Sequence, residues 1–205
     1  LNAPRIAGLV LAGGRGSRLG SAVPKPLVPL AGSPLLARVL DRFAGAVEPV
    51  LVNANDTASF AQFDLPVVSD RLPDFPGPLA GLDAAAAWLA DRRPDVAGLV
   101  CLPGDTPFLP LDIVTRLAAG PSERVRLAGF AGRLQPTIGF WPLARLAGLK
   151  EHITASENRS VIGFAEARGF DTVSFATDMN APGGDPFFNV NTPNDLEIAE
   201  TWLSR

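Results

Sequence analysis

Short β-branched and apolar runs alternate with Ala/Leu-rich stretches of helical period along almost the whole chain, and few folds accommodate that alternation. Residues 5–11 (RIAGLVL), 49–54 (PVLVNA), 65–70 (LPVVSD) and 97–105 (AGLVCLPGD) read as buried strands, the last with its exit loop. Between them, 34–45 and 77–92 read as helices, each with proline in its first turn. A further helix is expected near 111–118. Beyond it, 124–131, 135–141 and 170–176 read as strands, with helices near 159–167 and 193–203. Strand–helix alternation at this spacing predicts an α/β fold with a mainly parallel sheet covered by helices on both faces. No repeat, low-complexity tract or linker divides the chain, so one domain over 1–205 is expected.

Composition narrows the function classes. A chain of 205 residues, 47% hydrophobic and 19% charged, reads as an ordinary soluble globular protein with a sizeable core. A net charge of −3 gives no electrostatic case for nucleic acid or an anionic membrane. The single cysteine, Cys101, excludes an internal disulfide and a cysteine-rich zinc site, and fits a reducing cytosol. No apolar run reaches the roughly 20 residues that span a bilayer. A charged segment followed by an apolar one is missing too, so no signal peptide is expected and the predicted location is cytoplasmic.

The first strand runs into "LAGGRGSRLGSAVPKPLVPL" (Leu11 to Leu30). In open α/β sheets, ligands bind outside the carboxyl ends of the strands, which is where this loop begins. Glycines such as Gly13 and Gly14 let backbone N–H groups approach a phosphate or a base. Arg15 and Arg18 can add charge-assisted hydrogen bonds to phosphate oxygens. Pro24 and Pro26 restrain the backbone on either side of Lys25, which limits where its ammonium can go. A restrained point charge beside a phosphate loop suits charge developing in a phosphoryl-type transition state. Two other phosphate motifs fail on spacing. A dinucleotide fingerprint needs glycine at position 19, which is Leu19, and a Walker A loop needs glycine before Lys25, which follows Pro24.

At these residues the sequence resembles the nucleotidyltransferases that open with LAGGxxxRMG and a following lysine, and is most similar to the molybdenum cofactor guanylyltransferase family. The resemblance continues through "NAN" (Asn53 to Asn55), "DFPGPLAGL" (Asp74 to Leu82), "LPGDTPFLP" (Leu102 to Pro110), "QPTIGFW" (Gln135 to Trp141) and "FFNVNTPNDL" (Phe187 to Leu196). The opening is shared by many nucleotidyltransferases, whereas PGPLAG, GDTPF and NVNTP in this order are more specific. Two features depart from the family. Pro24 stands where aspartate is usual, in a slightly longer loop, and "PKPLVPLAGSPLL" resembles sugar-phosphate nucleotidyltransferases.

The resemblance implies a Rossmann-like nucleotidyltransferase fold that transfers GMP from GTP to molybdopterin with Mg²⁺. The amino-terminal half would bind nucleotide and the carboxyl-terminal half the acceptor. Cofactor biosynthesis proteins or recipient molybdoenzymes would be the partners. It places Leu11, Ala12, Gly13, Gly14, Arg15, Arg18, Lys25, Asn53, Asp70 and Asp105 on the nucleotide, with Lys25 and Asp105 catalytic. From spacing, Asp105 fits either a Mg²⁺ ligand or the N-cap of the next helix, and the resemblance favours the metal. Asn53 and Asp70 read equally as turn residues or site residues until the resemblance is added. Asn189 and Asn191 would share one strand face and are assigned to the acceptor or metal side. Arg133, Gln135 and Thr137 are acceptor candidates, because a phosphorylated pterin needs cationic and hydrogen-bonding partners. A CTP-using pterin enzyme, a sugar-phosphate nucleotidyltransferase and a non-catalytic nucleotide-binding protein are the rival readings. Thr192 is expected to cap the last helix. His152 reads as a surface or helix-terminal residue, and Cys101, Trp88, Trp141 and Trp202 as packing.

Overall fold

The computed structural model describes residues 5–13, 23–72, 77–156 and 158–204. Gly14, Arg15 and Arg18 therefore lie outside the described residues, as does 74–76 of the "DFPGPLAGL" stretch.

In chain order, β1 (Arg5–Leu11) is followed by the small hairpin β2 (Pro29–Leu30) and β3 (Ser33–Pro34), then α1 (Leu35–Leu40), β4 (Val50–Asn53) and β5 (Val67–Val68). The long α2 (Pro78–Arg92) leads to β6 (Val96–Pro103) and α3 (Ile113–Ala118). The second half holds β7 (Val125–Phe130), β8 (Arg133–Pro142), α4 (Leu149–Ala155), α5 (Val161–Arg168), β9 (Phe170–Phe175) and α6 (Pro193–Leu203).

Among the described residues, seven strands form one sheet in the order β5-β4-β1-β6-β8-β7-β9. Only β8 runs against its neighbours, so the sheet is mainly parallel, as the alternation predicts. The cause of the reversal is local. Phe130 pairs with Arg133 across two residues, Ala131 and Gly132, both at positive φ (49° and 75°). That is a two-residue turn of the kind whose twist suits an antiparallel hairpin.

Period-2 alternation sorts the core into two layers. Ala7 and Leu9 of β1 pack with Leu79, Leu82, Ala85 and Leu89 of α2. Val10, next after Leu9 and so facing the other side of the sheet, packs instead with Leu36 and Val39 of α1 and with Ile113, Val114 and Leu117 of α3. Cys101 and Trp141 are buried on the α2 side, as expected, and burial pushes the Cys101 thiol pKa up. A third, smaller cluster lies outside the layers. Val28, Leu30 and Leu35 meet Phe108, Val190 and Ala199, with Phe188, Leu196 and Trp202 against them.

Several expectations shift. The helix expected over 34–45 is helical only over Leu35–Leu40, and α4 was unforeseen. His152 lies in the last turn of α4, as the helix-terminal reading has it, but it is not a plain surface residue. Its ring meets Phe164 edge-on at 4.9 Å, and its Nε2 is buried with no hydrogen-bond partner among the described residues. The segment around Asn189 and Asn191 forms no strand.

Candidate active site

The carboxyl ends of β1, β4 and β6 lie side by side, with Leu11 in register with both Asn53 and Pro103. The chain leaving β1 stays close to β4, because the Ala12 N–H donates to the Asn53 carbonyl (2.9 Å). The Gly104 N–H donates to the Leu11 carbonyl (2.9 Å), which ties the exit of β6 to the end of β1. A Cβ on Gly104 would stand 3.2 Å from that carbonyl oxygen and from Pro26, so glycine lets the Pro24–Pro26 segment lie directly on this exit.

Lys25 sits in a single 3-10 turn, Lys25–Leu27, closed by the Leu27 N–H donating to the Pro24 carbonyl (2.8 Å). Pro26 is buried and Pro24 precedes the turn, so the prolines restrain the backbone as the sequence suggests. The ammonium donates to Asp105 Oδ2 and to Asn191 Oδ1, the latter at 2.5 Å. Asp105 stands just past β6, and the two side chains are only 16% (Lys25) and 24% (Asp105) exposed. Asp105 does not cap a helix. α3 starts eight residues later at Ile113, with Asp112 at its N-cap position. The capping alternative is thereby removed.

Asn189 and Asn191 both reach this point. The Val190 N–H donates to the Asp105 carbonyl (3.0 Å), and Val190 itself is buried in the third cluster. With Val190 turned inward, its two neighbours turn out. Thr106, fully buried, donates its hydroxyl to Asn189 Oδ1. Asn191 is held from behind, since its N–H donates to Asp195 Oδ2 (2.9 Å). Asp195 also accepts from the Thr192 N–H (2.8 Å), while Thr192 Oγ1 accepts from the Asp195 N–H (3.2 Å), a capping box that opens α6. Burial pushes the Asp195 carboxyl up. The Thr192 hydrogen bond, the N–H groups of Asn191 and Thr192 and the Lys25 charge outweigh it, so the net shift is downward.

A second group lies on the β4 side. Asn53 donates from Nδ2 to the Val68 carbonyl (3.1 Å) and to Asp70 Oδ1 (2.9 Å). Asn55 donates to Asp70 Oδ2 (3.0 Å) and accepts from the Asp70 N–H (2.9 Å). Asp70 is thus gripped by two amides. Asn53 Oδ1 faces the first turns of α2 at Gly81, where a Cβ would collide with it and come within 2.7 Å of Leu11 Cδ2.

Of the residues expected at the site, Lys25, Asp105, Asn189 and Asn191 come together, and Asn53 joins Asp70. Gln135 and Thr137 lie where β8 departs from its neighbours. Gln135 pairs with Ala128 and Gly139 with Leu127, leaving 136–138 without a partner on β7. Because β8 is antiparallel, its start lies at the same sheet edge as the end of β6. Among the described residues no hydrogen bond or ion pair joins Arg133, Gln135 or Thr137 to Lys25 or Asp105. Asn55, Gly81, Gly104, Thr106 and Asp195 were not foreseen. Only the Thr192-x-x-Asp195 spacing carried a readable signal. Among the described residues, no three His, Cys, Asp or Glu side chains cluster as a metal site. No described helix is long and apolar enough to cross a membrane.

The comparisons with known proteins agree with one another. Residues 8–169 match the model of the MobA-like NTP transferase domain. A molybdenum cofactor guanylyltransferase of Mesorhizobium japonicum is 41% identical over 97% of this chain and 96% of its own length. One of Rhodopseudomonas palustris is 40% identical over 96% and 93%. Among solved structures, molybdopterin-guanine dinucleotide biosynthesis protein A from Archaeoglobus fulgidus superposes with a TM-score of 0.69 at 22% identity, covering 97% of this chain and 98% of the other. The 4-diphosphocytidyl-2C-methyl-D-erythritol synthase of Anaerococcus prevotii gives 0.72 at 11% identity, over 98% and 96%. These two show a shared fold, and the match at two-fifths identity over nearly the full length shows the family. The chain belongs to the MobA-like NTP transferases, among the molybdenum cofactor guanylyltransferases.

Proposed function

We propose that this protein transfers GMP from GTP to the phosphate of molybdopterin, releasing pyrophosphate and forming the guanine dinucleotide of the cofactor. The observation that carries the reading is the meeting of Lys25, Asp105 and Asn191 at the carboxyl edge of β1 and β6. Leu11, Ala12 and Gly13, with the loop bearing Gly14, Arg15 and Arg18, take the nucleotide from the β1 side. Asn53 and Asp70 border it on the β4 side. Asn189, Arg133, Gln135 and Thr137 belong to the acceptor, so the amino-terminal half serves GTP and the carboxyl-terminal half the pterin. The cytosol, rich in nucleoside triphosphates, suits such an enzyme and its single free cysteine.

The residues fit Mg²⁺. Asp105 Oδ2 and Asn191 Oδ1 already converge on a cation, the Lys25 ammonium. One carboxylate with a neutral oxygen is a normal protein share when phosphates and water complete the shell. When bound, the metal would neutralise triphosphate charge. Lys25, aimed by its proline-bounded turn, places its ammonium on the α-phosphate oxygens as the acceptor oxygen attacks phosphorus. The bond to pyrophosphate breaks as the new P–O bond forms, and no side chain forms a covalent intermediate. Positioning and electrostatics carry such a reaction.

The test is pyrophosphate release with molybdopterin, Mg²⁺ and each of GTP and CTP. GTP is expected to be preferred, and Gly13→Ala to weaken its use. A Cβ at Gly13 would meet Asn53 Oδ1 at 3.6 Å, an ordinary contact, so a loss would report on the purine rather than on the fold. Equal or better turnover with CTP in the unmodified protein would refute guanine selection. Nucleotide binding without pyrophosphate release would favour the non-catalytic reading.

A further inference from the structure

Asp83 of α2 is a carboxylate where the fold does not need one. Its side chain is only 8% exposed, and Oδ2 is buried with no hydrogen bond among the described residues. Its helix neighbours Leu79, Leu82 and Ala86 pack into the apolar layer. Burying a charge is costly, and an apolar residue of similar volume would avoid that cost. Among the described residues its one ion-pair partner is Arg71 Nη1 at 3.4 Å, from an arginine 46% exposed. Burial pushes the Asp83 carboxyl pKa up, and Arg71 and Lys150 pull against that while Glu151 adds to it.

Arg71 directly follows Asp70, and Leu72 packs on the α2 layer. The Asp70 carboxylate is gripped by Asn53 and Asn55 from the β4 side. The next residue, Arg71, is held by α2 through Asp83. α2 also abuts Asn53 through Gly81. The short segment after β5 is therefore fastened at two adjacent residues, Asp70 and Arg71, the first of which is the residue assigned to the nucleotide.

We propose that the Arg71–Asp83 ion pair is a positioning device for nucleotide binding. It ties the segment carrying Asp70 to helix α2, so that Asp70 and Asn53 are already in place when GTP arrives. The inference rests on the reading of Asp70 as a nucleotide-contacting residue.

The experiment measures GTP affinity by calorimetry with Mg²⁺, together with KM and kcat, for Arg71→Met, Asp83→Asn, the double variant, Arg71→Lys and Asp70→Ala. Thermal melts run alongside. Each single variant is expected to weaken GTP binding and raise KM on the order of tenfold while kcat stays within about twofold. The double variant should lose no more than either single, because both break one link. It also removes both charges, so it stays folded and readable if Arg71→Met leaves Asp83 too costly to bury. Arg71→Lys should recover most of the affinity. Unchanged GTP affinity in the single variants with only a lowered melting temperature would overturn the proposal, as would losses that multiply in the double variant. Asp70→Ala separates the two levels. If it leaves GTP affinity intact, the nucleotide role of Asp70 fails and the pair's role with it. If it weakens binding while Arg71→Met and Asp83→Asn do not, only the pair's role fails.

Discussion

Lys25 and Asp105 are 80 residues apart in the chain and Asn191 is 166 from Lys25, yet their side chains share one bonded point. Lysine between two prolines on a 3-10 turn has few places to go, and the Asp105 carboxylate caps no helix. The two residues should therefore fail in different ways. Lys25→Ala removes a charge made useful in the transition state and should lower kcat by about 10²–10³-fold without altering metal dependence. Asp105→Asn keeps shape but offers a hard cation a weaker ligand, so its activity should return in part as Mg²⁺ is raised. Melting should change little in Asp105→Asn, which keeps an acceptor for the Lys25 ammonium, and should fall more in Lys25→Ala, which leaves a largely buried carboxylate without its cation. Turnover against Mg²⁺ concentration, beside thermal melts, distinguishes the two. Identical metal titrations for wild type and Asp105→Asn would remove the metal from Asp105.

Among the elements, α6 shows how a helix start can serve a site. Its capping box satisfies the first backbone N–H groups, and the same Asp195 carboxylate holds the Asn191 N–H. Asp195→Ala should cost about 1 kcal/mol of stability at pH 7 and lower turnover by loosening Asn191. The sign with pH follows from the direction of its shift. A carboxyl held below its ordinary 3.8 in the folded state contributes stability above that value and loses it as pH falls through the folded pKa. The stability gap between wild type and Asp195→Ala should thus be full at neutral pH and close below about pH 4. A gap constant from pH 7 to 3, followed by denaturant melts, would rule this out. Helix α3 ends on a different device. Arg126 of β7, buried, donates to the Leu117 carbonyl (2.5 Å), to that of Ala118 (3.1 Å) and to that of Pro121 (2.5 Å), and covers the Phe140 ring at 4.2 Å. Burial lowers its pKa, but the carbonyl partners replace its hydration. In sequence it is an arginine in a strand, with nothing to mark its partners.

Across the whole molecule, the two main layers make the sheet and the third cluster makes the site. Leu30, Leu35, Phe108, Val190 and Ala199 bring the lysine turn, the β6 exit and the asparagine segment against one another. Leu196, packed on that cluster, touches none of the site residues by hydrogen bond. Leu196→Ala should destabilise by about 2 kcal/mol, at the low end for a residue only partly buried. Its effect should be local first, with turnover lost at temperatures below the global melt while the sheet stays protected. Hydrogen exchange of α6 and the lysine turn against β1 and β6 would check it. Uniform loss of protection would show that the cluster is part of the main core.

The sequence by itself determined the layered α/β architecture, because a strand buried on both faces needs a continuous apolar run and a covering helix needs an amphipathic one. It also pointed to Lys25 between its prolines, to Asp105 at a strand end and to Thr192 at a helix start, since each is a short-range pattern with a local cause. It could not separate Asp105 as a cap from Asp105 as a site residue. That depended on α3 starting eight residues later, at Ile113. Nor could it reverse β8, because the turn that does so uses Ala131 at positive φ, where Asn, Asp or Gly is the usual signal. The grip on Asp70, the close approach allowed by Gly81 and Gly104, and the buried pairing of Asp83 with Arg71 were decided by tertiary structure alone. Each joins segments whose nearness comes from packing the sheet and helices together, and no periodicity within a single segment encodes that distance.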